Sequence, residues 1–128
     1  MPRLIPFKPK TIKQPWGLEE LVARVPGIAT AKLLRRYASG QRAGLQYHEM
    51  KHECFYLLEG QCFVYWDPGD GQLRKHKMRP GESFIVPPGT PHSVETIGDS
   101  IMVEASNDVQ DDRVRVEDNY NIEDAIDA

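Results

Sequence analysis

Ten glycines and ten prolines are spread through 128 residues, and they cut the chain into short stretches rich in Val, Ile, Phe and Tyr. No apolar repeat of 3.6 residues persists for three turns, so nothing in the sequence supports a long amphipathic helix. Short β-prone runs bounded by turn residues read instead as antiparallel strands. They fall at about 29–38, 44–48, 53–58, 61–66, 72–78, 83–86, 91–96 and 100–105. Eight such strands predict an all-β barrel or jelly roll, because closure removes the open edges that would otherwise pair with other chains.

Turn chemistry sharpens the expectation. Glu59-Gly60 is expected to make a tight hairpin between Phe55-Tyr56-Leu57-Leu58 and Cys62-Phe63-Val64-Tyr65-Trp66. Asp67-Pro68-Gly69-Asp70-Gly71 closes the next pair. Pro87-Pro88-Gly89-Thr90-Pro91 is too dense in proline for a central strand, and so predicts a rigid turn that presents His92. The aromatic residues Phe55, Tyr56, Phe63, Tyr65, Trp66 and Phe84 are expected in the core or an interface, and Trp16 at a barrel end or against a second subunit.

The length suits one domain. The reading places an N-terminal arm or edge strand at 1–28, the barrel at 29–106 and an acidic tail at 107–128. The tail is a peripheral strap or frayed end in which only Ile122 and Ala125 hint at an apolar helical face. No apolar run approaches the roughly 20 residues that span a bilayer, so no membrane association is expected. Three prolines interrupt the first ten residues, which do not read as a secretory signal, and a cytoplasmic location follows as the expectation. A net charge of -3 gives no electrostatic footprint for nucleic acid and favours a small-molecule ligand. Cys54 and Cys62 are not a Cys-x-x-Cys pair and read as free thiols.

The residues that carry chemistry lie near the middle of the chain. Gln46 and His48 sit two apart on an expected strand, so both side chains share one face. Glu53 opens the next strand, and His92 follows the proline turn. Nitrogen and oxygen ligands converging from three strands suit one divalent ion, with zinc the first choice and manganese, iron or nickel also compatible. A buried Glu53 without a cation would be costly.

Gly40, Gln46, His48, Glu53 and Gly60 stand at the spacing of the first cupin motif, with glutamine in place of its first histidine. Gly81, Pro87, Gly89, His92 and Thr96 resemble the second motif, with Thr in place of its usual Asn. The resemblance covers roughly 30–105 and implies the cupin double-stranded β-helix, with Gln46, His48, Glu53 and His92 as metal ligands. Within that superfamily the Gln-x-His pair is similar to the metal site of the mannose-6-phosphate isomerases. Three segments also resemble the carboxy-terminal cupin domain of the bifunctional isomerase/guanylyltransferases: Pro15-Trp16-Gly17, the run from Gly44 to Glu53, and the run from Asp111 to Tyr120. Gly44, Met50, Lys51 and Asn119 depart from that pattern, where serine, histidine, arginine and aspartate are usual.

The resemblance implies an isomerase acting on a sugar or sugar phosphate. Such chemistry needs a Lewis acid and a group that serves as base and then acid. Lys51 and His52 are the expected acid–base residues, with Tyr47 and Glu104 also considered. Arg35, Arg36, Arg42 and Lys51 are the cations available for a phosphate, and only one of Arg35 and Arg36 can face the interior. A cupin that binds metal and carbohydrate without turnover is one alternative; an iron-dependent oxygenase using His48, Glu53 and His92 is another. Similar cupins commonly dimerise, so a homodimer is expected by analogy.

Overall fold

The computed structural model describes residues 3–37 and 40–128. Met1, Pro2 and Ala38, the last residue of the first expected strand, lie outside the described residues, as does Ser39. Two six-stranded sheets form the domain. The first has the order β1 (Lys10–Gln14), β2 (Gly17–Val25), β3 (Ala29–Arg36), β10 (Ser100–Asn107), β5 (Glu53–Glu59) and β8 (Ser83–Val86). The second has the order β11 (Arg113–Arg115), β4 (Gln46–His48), β9 (His92–Thr96), β6 (Cys62–Trp66), β7 (Arg74–Met78) and β12 (Ile126–Asp127). Only β12 against β7 is parallel; the other pairs are antiparallel. The result is the jelly roll expected from the pattern of strands.

Strand alternation decides what meets inside. Along β10 the buried positions are Ser100, Met102, Glu104 and Ser106, and along β5 they are Glu53, Phe55 and Leu57. Leu34, Phe55, Leu57, Cys62, Val64, Met78, Val86, Val94 and Met102 form the core. Leu57, Met78 and Met102 are fully buried, each contributing about 1.5–3 kcal/mol of hydrophobic stabilisation. Trp16 joins this core from the β1–β2 turn. Of the expected core aromatics, Tyr56 is exposed, whereas the Trp66 and Phe84 rings meet at a tilt of 47°, 6.1 Å apart, across the two sheets.

The expected hairpin at Glu59-Gly60 does not form. β5 pairs with β10 and β8, while β6 pairs with β7 and β9 in the other sheet. The chain crosses between sheets here, which lets Leu57 face Cys62 and Val64 through the core instead of lying beside them. Gly60 has a φ of 86°, and a Cβ there would stand 2.0 Å from the Asp99 carbonyl oxygen. Only glycine fits so close to a neighbouring backbone. The turn at 67–71 does join paired strands, β6 and β7.

Segments on both sides of the barrel residues are built into the sheets. Residues 10–25 supply two strands of the first sheet, β1 being its edge. The acidic tail runs as a strap over the second sheet and forms β11, β12 and two short 3-10 turns, Glu117–Asn119 and Ile122–Asp124. Val116, Tyr120, Ile122 and Ala125 cover Leu45, Tyr65 and Leu73 in a second apolar cluster. Tyr120 donates its hydroxyl proton to Asp67 at 2.5 Å, and burial together with that carboxylate pushes the phenol up to about 12. No helix of the described residues is long and apolar enough to cross a membrane.

Candidate metal centre

β4, β5 and β9 deliver His48, Glu53 and His92 to one end of the barrel interior, all buried. Glu53 Oε1 lies 3.1 Å from His48 Nε2 and 3.3 Å from His92 Nε2. The other nitrogen of each ring is already engaged. His92 Nδ1 is 2.9 Å from the Thr90 carbonyl oxygen, which can only accept, so Nδ1 carries the proton. His48 Nδ1 is 2.8 Å from Asp112 Oδ1, which selects the same tautomer. With both rings neutral, two Nε2 lone pairs and Glu53 Oε1 point at a common space. Among the described residues, Glu53 Oε1 is buried without a hydrogen-bond partner.

Three converging acceptors with no proton between them repel one another unless a cation sits among them. The donor set, two imidazoles and a carboxylate, fits a divalent transition ion. Gln46 is the cross-strand partner of His92 and lines the same cavity, so a fourth oxygen or nitrogen ligand is at hand. Among the described residues, His48, Glu53 and His92 are the group whose ligand atoms lie within 4.8 Å of one another.

The charges around the site balance finely. Burial pushes the Glu53 carboxyl up, but when the two Nε2 atoms carry protons in place of an ion, their hydrogen bonds to Glu53, with the charge of Lys51 beyond them, outweigh that push and hold the carboxyl well below the usual carboxylate range. Glu53 raises the pKa of His48; burial opposes that shift and Asp112 adds to it. Asp112 is anchored by more than one bond: its Oδ2 accepts the backbone N–H of Met50 and of Lys51, both at 2.9 Å. The sequence reading missed this residue, because nothing in its spacing ties it to a histidine sixty-four positions earlier. The resemblance of the 111–120 segment to a family ending was the one available signal.

The loop before β5 separates the expected acid–base residues. Lys51 points inward, with Nζ 3.8 Å from Glu53 Oε2. His52 is exposed, lines no part of the cavity, and its backbone N–H is held by Asn107 Oδ1 at 2.9 Å. Tyr47 lies between Gln46 and His48 on β4, so its side chain leaves from the opposite face. Glu104, by contrast, is buried inside, with Oε2 unbonded and 3.9 Å from Lys32 Nζ. Burial, and then the charge of Glu53, push its carboxyl up to about 6 against the pull of Lys32 and Lys51. Of the expected cations, Arg36 is buried and faces the cavity, Arg35 is exposed, and Arg42 is paired with Glu117. The cavity that these groups enclose has a volume of about 360 Å³.

Comparison with known proteins identifies the architecture. Residues 33–105 match the model of the Cupin domain family. The chain belongs to the cupin family. An uncharacterized protein of Methanocaldococcus jannaschii is 32% identical over 59 residues, 46% of this cupin and 43% of that protein. The chain therefore spans less than half the length of the curated relative it matches. In fold, this cupin is similar to the capsular polysaccharide assembling protein CapF of Staphylococcus aureus, with a TM-score of 0.76 and 16% identity over 88% of this chain and 32% of that one. KdgF from Halomonas sp. gives a TM-score of 0.64 and 21% identity, covering 83% of this cupin and 92% of that chain. Oxalate decarboxylase from Bacillus subtilis gives 0.71 and 16%, covering 84% and 30%.

Proposed function

We propose that this cupin binds one divalent ion through Gln46, His48, Glu53 and His92 and acts on a sugar or sugar phosphate in the manner of a mannose-6-phosphate isomerase. The observation that carries the reading is the unsatisfied Glu53 Oε1 facing two Nε2 atoms whose rings are both fixed through Nδ1. The metal would be zinc, manganese, iron or nickel; the Mn(II) centres of the similarly folded oxalate decarboxylase are consistent with such a site on this scaffold. The resemblances at Pro15-Trp16-Gly17, at 44–53 and at 111–120 favour the isomerase among cupin activities.

A bound divalent ion supplies a Lewis acid that polarises a carbonyl. The chain supplies the rest. Lys51 places a positive charge beside the ligand carboxylate, and Glu104, whose carboxyl burial pushes up, lies in the same cavity as a group that can hold or release a proton. Lys51 and Glu104 are thus the acid–base pair of this proposal. A homodimer belongs to it as well, supported by Tyr56, Leu58, Ile85 and Val103, which stand exposed on the first sheet.

Metal content by mass spectrometry, on tag-free protein purified without chelators, tests the site. Near-stoichiometric metal in the wild type that is lost in His92→Ala is the expected result; wild-type protein that neither contains nor takes up metal sinks the proposal. Incorporation of deuterium from solvent at the carbon next to a sugar carbonyl then tests the isomerase. A second reading is favoured by the compact His48, Glu53 and His92 face. Bound iron with oxygen uptake, and no proton exchange, would select an oxygenase.

A further inference from the structure

The chain carries a net charge of -3, yet the residues lining the metal cavity reverse that balance. Lys32, Arg36, Arg42, Lys51, Arg113 and Arg115 face Glu19, Glu53 and Glu104. Lys32 is paired with Glu19 and Glu104, Lys51 with Glu53, and Arg42 with Glu117. Arg36, Arg113 and Arg115 have no carboxylate partner among the described residues. Of these, Arg36 is the most demanding, being only 5% exposed.

Arg36 lies over the Trp16 ring at 4.2 Å, and its Nη1 donates a long hydrogen bond of 3.4 Å to Thr96 Oγ1. Its Nε has no hydrogen-bond partner among the described residues. Burial lowers its pKa to about 10, so the guanidinium stays charged at neutral pH. Glu104 and Glu19 of the same cavity draw that pKa back up without forming an ion pair with the guanidinium, and a buried cation left without an ion pair is costly. Thr96 in turn accepts Gln41 into pairing, its backbone N–H donating to the Gln41 carbonyl at 2.9 Å. Three residues on, a Cβ placed on Gly44 would meet Arg115 Nη1 at 3.7 Å. Trp16, Arg36, the 41–44 segment and Arg115 therefore frame one end of the cavity.

We infer that this end is an anion subsite, with Arg36 at its base and Arg115 at its rim receiving a carboxylate or phosphate group of the ligand. The inference rests on reading the cavity as the ligand site of the metal centre. Two guanidiniums suit such a group because their planar donors match its oxygens in pairs. β11 gives Arg115 its place: it is the cross-strand partner of Gln46, so the subsite and the metal ligands share one wall.

The test is calorimetric titration of zinc-loaded, full-length protein with inorganic phosphate, with gluconate and with neutral mannitol. At least one anion is expected to bind, mannitol to bind more weakly than that anion, and Arg115→Gln to weaken the anion about tenfold or more. Whichever anion binds more tightly identifies the source of the charge. Arg115 is exposed, so its replacement leaves folding intact; Arg36→Gln, checked by circular dichroism, is expected to weaken binding further. Equal affinities in wild type and Arg115→Gln, tighter binding of mannitol than of both anions, or no anion binding would overturn the subsite. Metal content of the same samples separates the two claims. Stoichiometric metal without anion binding removes only the subsite, whereas Arg115-dependent anion binding by protein that cannot take up metal keeps the subsite and removes the metal reading.

Discussion

Oδ1 of Asp112 lies 2.8 Å from Nδ1 of His48, so a side chain on the C-terminal strap aims a histidine of β4. The same carboxylate holds the loop that follows β4 through Met50 and Lys51. Strap, loop and candidate ligand are thus one mechanical unit, and β11 pairs with β4 immediately beyond it.

Replacing Asp112 with Asn is expected to lower metal affinity by about 10–100-fold, the usual cost of losing a partner that orients a ligating imidazole. Competition with a chromophoric chelator measures it. Unchanged affinity would mean that His48 is oriented by other contacts.

Gly60→Ala places a Cβ against the Asp99 carbonyl at a φ that L side chains avoid. The conformation alone costs on the order of 1–3 kcal/mol, and relief of the backbone clash adds to it. Urea denaturation followed by tryptophan fluorescence should show the midpoint shift, and an unshifted midpoint would argue against the close crossing between sheets.

Asp108 receives the Arg24 guanidinium and the Gly27 backbone N–H, which hold its carboxyl near a pKa of about 2 against an ordinary 3.8. A carboxylate with a depressed folded-state pKa stabilises the fold above its unfolded value, and that contribution disappears as pH falls through the folded one. Wild type should therefore lose stability relative to Asp108→Asn between about pH 4 and pH 2. Thermal melts across that range provide the check; parallel curves for the two proteins would count against the contact.

Cys54 is exposed, whereas Cys62 is fully buried and burial pushes its thiol up to about 11. Nucleophilic attack requires thiolate and access, so Cys54 should react quickly with Ellman's reagent and Cys62 only after denaturant is added. Two fast thiols in the native protein would contradict the packing around Cys62.

Short strands, turn residues and two motif-spaced ligand groups are local properties, and they were legible without coordinates. Gln46 and His48 share a face because strands alternate, and the proline-rich turn before His92 cannot be a central strand, whatever surrounds it. What the sequence by itself determined, then, was the all-β class and the residue types available to a metal. Which strands became neighbours was a global matter. Glu59-Gly60 has the composition of a hairpin, but burying Leu57, Cys62 and Val64 in one core required a crossing between sheets instead. The same holds at the site: only tertiary structure brought Asp112 to His48, turned His52 to solvent, and enclosed Glu104 and Arg36 with the ligand atoms. Such relations join residues tens of positions apart, and burial energy summed over the whole domain selects them, leaving no local pattern to read.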